Sequence, residues 1–294
     1  MEYQTTDQIL GRLADVYSDL SPKLRRAAEY VLNNPNEVGV QSMRQLAVSA
    51  DITPNTLVRM ARAIGFEGYK DFSEPFRERL MKGGENFPDR ARWLQSLSET
   101  GSHGHLFSQM AAAGMANTEQ LFSGTTADDL KRAADAIVDA ETAYVLGVGS
   151  AYSLAHIFWY VGRMAMDNLM QVPRTGNIPI DDIARIGPND VLLAVTVSPY
   201  RREVVDAVEL AVRRKATVIA VTDSRASPIA RLATQTFVIP TSTPQFFPSL
   251  GAGFQLMEAL LAFVVADADP RVVANIENFH NFRYETGVYI GEGE

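Results

Sequence analysis

The sequence predicts two domains of different class: an all-α amino-terminal domain built around a helix-turn-helix, and a larger α/β domain on a parallel sheet. Three observations predict this. Residues 46–66 read as a short apolar helix, a tight turn and a second helix with two chemically distinct faces. From residue 142 onward, short apolar runs alternate with helical stretches, the pattern of a parallel sheet covered on both faces. The chain has 294 residues, which suits two cores better than one.

In the helix-turn-helix, Asn55, Arg59 and Arg62 fall within roughly 60° of one another at 100° per residue, and Thr56 flanks that sector. Leu57, Met60, Ala61 and Ile64 occupy the opposite side. A helix with amide, hydroxyl and guanidinium groups on one side and a packed seam on the other fits a DNA major groove. An ordinary helical hairpin with a solvated polar face has the same pattern. Thr53 is placed to cap the second helix through its hydroxyl, and Pro54 suits its first position. Asp51 stands at the turn, where the backbone visits positive φ and Asp is better tolerated than most residues. In the preceding helix Met43, Leu46, Ala47 and Ala50 share one face.

Hydrophobic residues make up 46% of the chain and charged residues 21%, the balance of a globular protein. The absence of cysteine excludes disulfides, thiolate metal sites and thiol nucleophiles. Met1-Glu2-Tyr3-Gln4 does not open a signal peptide, and no apolar run approaches membrane-spanning length, so a cytoplasmic location is expected. The net charge is −8, but residues 1–82 hold 11 basic and 11 acidic residues. Residues 83–294 hold 16 basic and 24 acidic residues and so carry the entire excess. A neutral head would grip DNA through dimerisation and local arginine placement more than through bulk attraction.

Residues 7–82 read as consecutive helices, one opened by Ser21-Pro22 and closed by Asn33-Asn34-Pro35, another running from Lys70 to Met81. Lys82 to Pro88 reads as a loop, and 83–104 as a linker. Helical stretches at 105–122 and 126–140 precede strands at 142–146, 169–172, 191–197, 217–222 and 236–240. Helices are expected at 151–166, 200–214, 227–232 and 249–266, then a carboxy-terminal helix and tail over 271–294.

Gly147-Val148-Gly149-Ser150 lies at a strand–helix junction, where glycines let the backbone approach an anion and helix N–H groups face it. A dinucleotide fingerprint would add a third glycine near Tyr152 and an acid after the next strand, which instead ends Val172-Pro173-Arg174. At the second junction, Ser198 and Pro199 are placed to open a helix whose first turns hold Arg201 and Arg202. Two cations there oppose the macrodipole, pointing to a held anion, a subunit contact, or side chains turned into solvent. The third junction, Thr222-Asp223-Ser224 to Ser227-Pro228, again puts hydroxyls at a strand's carboxyl end, the edge at which open parallel sheets bind ligands.

Catalytic and metal residues are not evident. Glu258, His156 and Glu203 lack a visible partner for acid–base work, and His103 with His105 makes a poor metal site. No cofactor is expected. Phe246-Phe247 with Leu256, Leu260, Leu261 and Phe263 reads as core or subunit interface.

The amino-terminal segment resembles the helix-turn-helix of the RpiR family of bacterial transcriptional regulators. The resemblance rests on Leu20-Ser21-Pro22, Ala28 to Pro35, Ser42 to Ala47, Thr56 to Arg62 and Gly65-Phe66-Glu67-Gly68-Tyr69, in that order and spacing. Residues from about 125 to 270 look like the sugar isomerase (SIS) domain that this family carries, and the domain as a whole is placed at 105–270. The resemblance implies a flavodoxin-like five-stranded parallel sheet and a dimeric sensor, commonly of phosphosugars. The family's phosphate-binding pattern, Ser-x-Ser-Gly-x-Thr, aligns with Thr196 to Arg201, where Pro199 replaces the glycine and Arg201 the threonine. A sugar acid or other anionic metabolite bound through Arg201 or Arg202 is therefore an alternative to a phosphosugar.

The expected protein is a homo-oligomeric regulator of a near-palindromic double-stranded operator. Thr53, Asn55, Thr56, Arg59 and Arg62 are expected to contact DNA, with Ser42, Arg44 and Lys70 at phosphates. Gly147, Gly149, Ser150, Ser198, Tyr200, Arg201, Arg202, Thr222, Ser224 and Ser227 are expected around a small anionic effector. The alternatives are a phosphosugar isomerase or lyase with an appended helical domain, and a protein-interaction adaptor.

Overall fold

The computed structural model describes residues 5–82, 87–99, 103–266 and 268–289. Two compact units share the chain: Met1–Ala113 with Ser242–Pro248, and Gly114–Thr241 with Ser249–Glu294.

The first unit is helical: α1 (Thr6–Asp15), α2 (Pro22–Asn33), α3 (Pro35–Val40), α4 (Met43–Ser49), α5 (Pro54–Ala63), α6 (Tyr69–Lys82) and α7 (Phe87–Glu99), with the start of α8 (His103–Ser123). Capping boxes open α1 at Thr5 and α4 at Ser42. Ile9, Leu13, Ala27, Val31, Leu46, Leu57, Met60, Ile64 and Phe72 are sealed from solvent in one core. Two elements differ from expectation. Pro35, expected to close a helix, also opens α3, because proline suits the first helical position as well as it ends the preceding turn. The stretch read as linker carries α7, whose Phe87, Arg90 and Leu94 supply a buried or half-buried side. Residues 83–86 of the expected loop lie outside the described residues.

The second unit is a sheet of five parallel strands among the described residues, in the order β2-β1-β3-β4-β5. Its chain runs through most of α8, then α9 (Ala127–Asp139), β1 (Ala143–Gly147), α10 (Tyr152–Gly162), β2 (Leu169–Val172), α11 (Pro179–Asp182), β3 (Val191–Val195), α12 (Arg202–Arg213), β4 (Thr217–Thr222), β5 (Gln235–Val238), α13 (Gly251–Ala266) and α14 (Pro270–Glu285). Side chains alternate across each strand. Val145, Leu193, Val195, Ile219 and Val221 meet Ile137, Leu154, Phe158, Leu256 and Leu260 of α9, α10 and α13. Leu146, Leu192, Ala194, Val218 and Ala220 meet Ile183, Val204, Ala207 and Val208 on the other face. Burial on both faces is why these strands read as continuous apolar runs. The helix expected at 227–232 is a series of turns. The expected carboxy-terminal tail is described only to Tyr289.

Candidate functional site

The helix-turn-helix forms as expected at its turn: Asp51 has φ 50°, and its carboxylate is 2.6 Å from the Arg26 guanidinium. Leu57, Met60, Ala61 and Ile64 are fully buried, while Asn55, Arg59 and Arg62 are exposed, so α5 presents the polar sector outward. Thr53, Arg44 and Lys70 are also exposed, and Ser42 is half-buried, with its hydroxyl accepting the Gln45 N–H at 3.3 Å.

Two expectations need correction here. Thr53 holds the N-cap position of α5 but makes no side-chain cap; its hydroxyl lies 2.9 Å from that of Thr56. Thr56 is therefore turned inward at 8% exposure, and its hydroxyl is engaged with Thr53 at the base of the polar face. The sequence also gave no sign that Arg62 Nε donates to the Glu67 carbonyl at 3.1 Å, which ties the end of α5 to the glycine turn after it. Arg44 lines an open cleft of about 560 Å³ together with Gln45 and Val48 of α4 and Arg92 and Gln95 of α7.

In the second unit, parallel pairing brings the carboxyl ends of β1, β3 and β4 to one edge. The chain order reverses between β1 and β3, the crevice at which open α/β sheets take ligands. Gly149 has φ 61° in the turn after β1, and Ser150 beside it is exposed. An added Cβ at Gly149 would lie 4.0 Å from Arg201 Nη1, so the β1 and β3 loops converge at this crevice. Arg201 grips Glu203 in a two-point pair at 2.7 and 3.2 Å.

Helix α12 starts at Arg202, two residues later than expected. Ser198 does not cap it; the extended Arg201 is its N-cap residue, and the Arg201 N–H goes to the Thr196 hydroxyl at 3.3 Å. Arg202 is exposed in its first turn. The Asp223 carboxylate accepts the Ser198 N–H and the Thr222 hydroxyl, each at 3.3 Å. Burial, then the charge and hydrogen bonding of Asp223, push the Tyr200 phenol up to about 12. Asp223 and Glu203 thus hold the donors of this edge, although sequence reading singled out neither as a site residue. The signal was the Thr-Asp-Ser triplet itself, since a carboxylate beside a strand end accepts any N–H that faces it.

Other expected site residues serve the scaffold. A Cβ on Gly147 would sit 2.4 Å from the Ala151 carbonyl oxygen, so this buried glycine is required by the close approach of the turn to β1. Thr222 and Ser227 are fully buried, and the Ser227 hydroxyl accepts the Ala230 N–H at 3.2 Å. Ser224 is half-buried and accepts the Ala226 N–H. His156 is exposed on α10, stacked on Tyr152, with Nδ1 3.2 Å from Gln171 Oε1. Glu258, His103 and His105 are exposed. Leu256 and Leu260 enter the core, with Leu261 and Phe263 packed against it.

A helical DNA-reading head joined to a flavodoxin-like domain with a ligand crevice defines a class of sensor–regulator. The chain matches the helix-turn-helix domain of the rpiR family over residues 7–81 and the SIS domain over residues 136–266. It combines a helix-turn-helix of the rpiR family with a SIS domain, and its relatives are HTH-type transcriptional regulators. An HTH-type transcriptional regulator of Caldanaerobacter subterraneus is 22% identical over 279 residues, 92% of this chain and 95% of that protein. The HTH-type transcriptional regulator HexR of Escherichia coli is 24% identical over 260 residues, 84% of each. The Vibrio vulnificus NanR protein, solved in complex with ManNAc-6P, shares the fold at a TM-score of 0.55 and 22% identity, covering 95% of this chain and 98% of NanR. The sugar isomerase domain of an RpiR transcription factor from Sphaerobacter thermophilus aligns at a TM-score of 0.56 and 24% identity, covering 60% of this chain and 98% of that domain.

Proposed function

We propose that this regulator acts in the cytoplasm as a homo-oligomer on a near-palindromic operator, under the control of a small anionic carbohydrate-type effector. Asn55, Arg59 and Arg62 read base edges, with Thr53 beside them; Ser42, Arg44 and Lys70 hold phosphates. Two such heads suit half-sites about 34 Å apart, or a multiple of that spacing. The effector sits at the crevice between β1 and β3 against Gly149, Ser150, Ser198, Tyr200, Arg201 and Arg202, with Ser224 at its margin. NanR, solved with a phosphosugar, supports a ligand of that kind.

The observation that carries the effector assignment is Arg201 reaching Gly149 across the topological switch point. The ligand's anionic group takes Arg201 from Glu203, and its hydroxyls face Asp223. The domain works as a sensor without turnover, with His156 engaged by Tyr152 and Gln171. A thermal-shift screen of hexose phosphates and sugar acids tests the site. Hits are expected to disappear in Arg201→Ala; hits that survive it place the ligand elsewhere, and turnover of a phosphosugar would favour an isomerase.

A further inference from the structure

The loop after β5 divides between the two units. Thr241 and Ser249 belong to the second unit and are joined by the Ser249 N–H to the Thr241 carbonyl at 3.0 Å. The seven residues between them, Ser242–Pro248, belong to the first unit. That excursion is anchored there by a buried cation. Arg90 of α7 is 3% exposed, and its Nη2 donates to the Thr243 carbonyl at 2.5 Å. The Phe87 and Phe247 rings pack at 4.9 Å between centroids, and Thr243, itself 3% exposed, hydrogen-bonds Met110 Sδ at 3.8 Å. A guanidinium stays charged in proteins, and taking it out of water is costly unless the surrounding geometry holds it. Burial lowers the Arg90 pKa accordingly.

The base of the excursion reaches the effector crevice through hydrogen bonds. The Ile239 N–H donates to the Thr222 carbonyl at 2.8 Å; the Thr222 hydroxyl donates to Asp223, which accepts the Ser198 N–H. A path of hydrogen bonds, through the Asp223 carboxylate and then the backbone of β4 and of residues 239–241, therefore runs from Ser198 to the base of the segment that Arg90 holds at Thr243.

We propose that residues 242–248 form a joint through which the effector crevice acts on helix α7, with Arg90 as its positioning residue. This rests on the regulator reading above for its purpose, but the joint itself needs no ligand to be tested. Displacing Asp223 at the crevice shifts the base of the excursion, and the excursion pulls on α7, the helix that follows the DNA-binding bundle. A ligand acts this way only if it favours one arrangement of the joint over another.

Hydrogen exchange on the full chain is the test, comparing the wild type with Arg90→Met and, as a second variant at a different contact, Phe247→Ala. Both variants are expected to speed exchange over 242–248 and at Ser249 and Ile239 by about tenfold, with Thr196 following and the α2 and β1 amides unchanged. Loosening confined to 242–248, or none at all, overturns the joint. A second arm measures affinity for a duplex of the upstream region with and without N-acetylmannosamine 6-phosphate, glucose 6-phosphate or 6-phosphogluconate. Where a probe alters wild-type affinity, Arg90→Met is expected to bind DNA and probe as before while the ratio of affinities moves toward one; an unchanged ratio contradicts the proposal. A wild type indifferent to every probe contradicts the effector reading, and the exchange result still decides the joint.

Discussion

In the proposed effector site Glu203 sets the starting condition, because it holds the Arg201 guanidinium that the proposal assigns to the anion. Exposed ion pairs are worth little, so a ligand can open this one. Glu203→Gln is expected to tighten binding of the best anionic probe by about two- to fivefold in a calorimetric titration. Weaker or unaltered binding would show that Arg201 does not receive the anion. Asp182, at the end of α11, makes a separate prediction through its bonds to the β2–α11 loop. Burial raises its pKa, but the Arg174 N–H at 2.6 Å, Asn177 at 2.7 Å and the Arg174 guanidinium at 2.8 Å outweigh burial and hold it below the usual carboxylate range. A carboxyl held low in the fold contributes stability that is present above its unfolded pKa of about 3.9 and is lost as pH falls through the folded value. Urea titrations are expected to show Asp182→Asn less stable than wild type at neutral pH, with the gap closing below about pH 4. A gap independent of pH would assign Asp182 no such linkage.

Among the elements, α5 and the sheet were most legible in the sequence, because a helical period and apolar runs bounded by turn residues both leave local marks. The start of α12 was not. Ser198-Pro199 has the form of a helix start, but Thr196 and Asp223 compete for the N–H groups of that loop, and Asp223 lies 25 residues along the chain, outside the local pattern. The β1 turn shows the same limit: glycine was read there as room for a ligand, whereas Gly147 makes room for the Ala151 carbonyl. Gly147→Ala is expected to cost about 1–3 kcal/mol, since the clash is with backbone. Thermal melts of the second unit's transition would measure it. An unshifted melt would show that the turn yields.

At the scale of the whole molecule, the presence of a helical unit and a sheet unit was legible from charge and texture, since the net acidic excess lies entirely beyond residue 82. The assignment of Ser242–Pro248 to the first unit was not, because the contacts of Arg90 with Thr243 and of Phe87 with Phe247 join positions about 150 residues apart in the chain. Such pairings have no short-range signature. A head of zero net charge implies that affinity comes from few phosphate contacts plus base reading, so Lys70→Ala is expected to weaken binding evenly across sequences and lower the salt slope by about one. Fluorescence anisotropy at several salt concentrations reports both; a slope as steep as that of the wild type would remove Lys70 from the interface.

The most direct test of DNA reading by α5 is the affinity of the full chain for a duplex of its own upstream region, measured beside Arg59→Ala at one fixed salt concentration. The wild type is expected to bind that duplex in preference to a scrambled one, and Arg59→Ala to lose about 1–3 kcal/mol of that preference. Equal affinity of the two proteins, with discrimination intact, would mean that the exposed face of α5 does not read DNA.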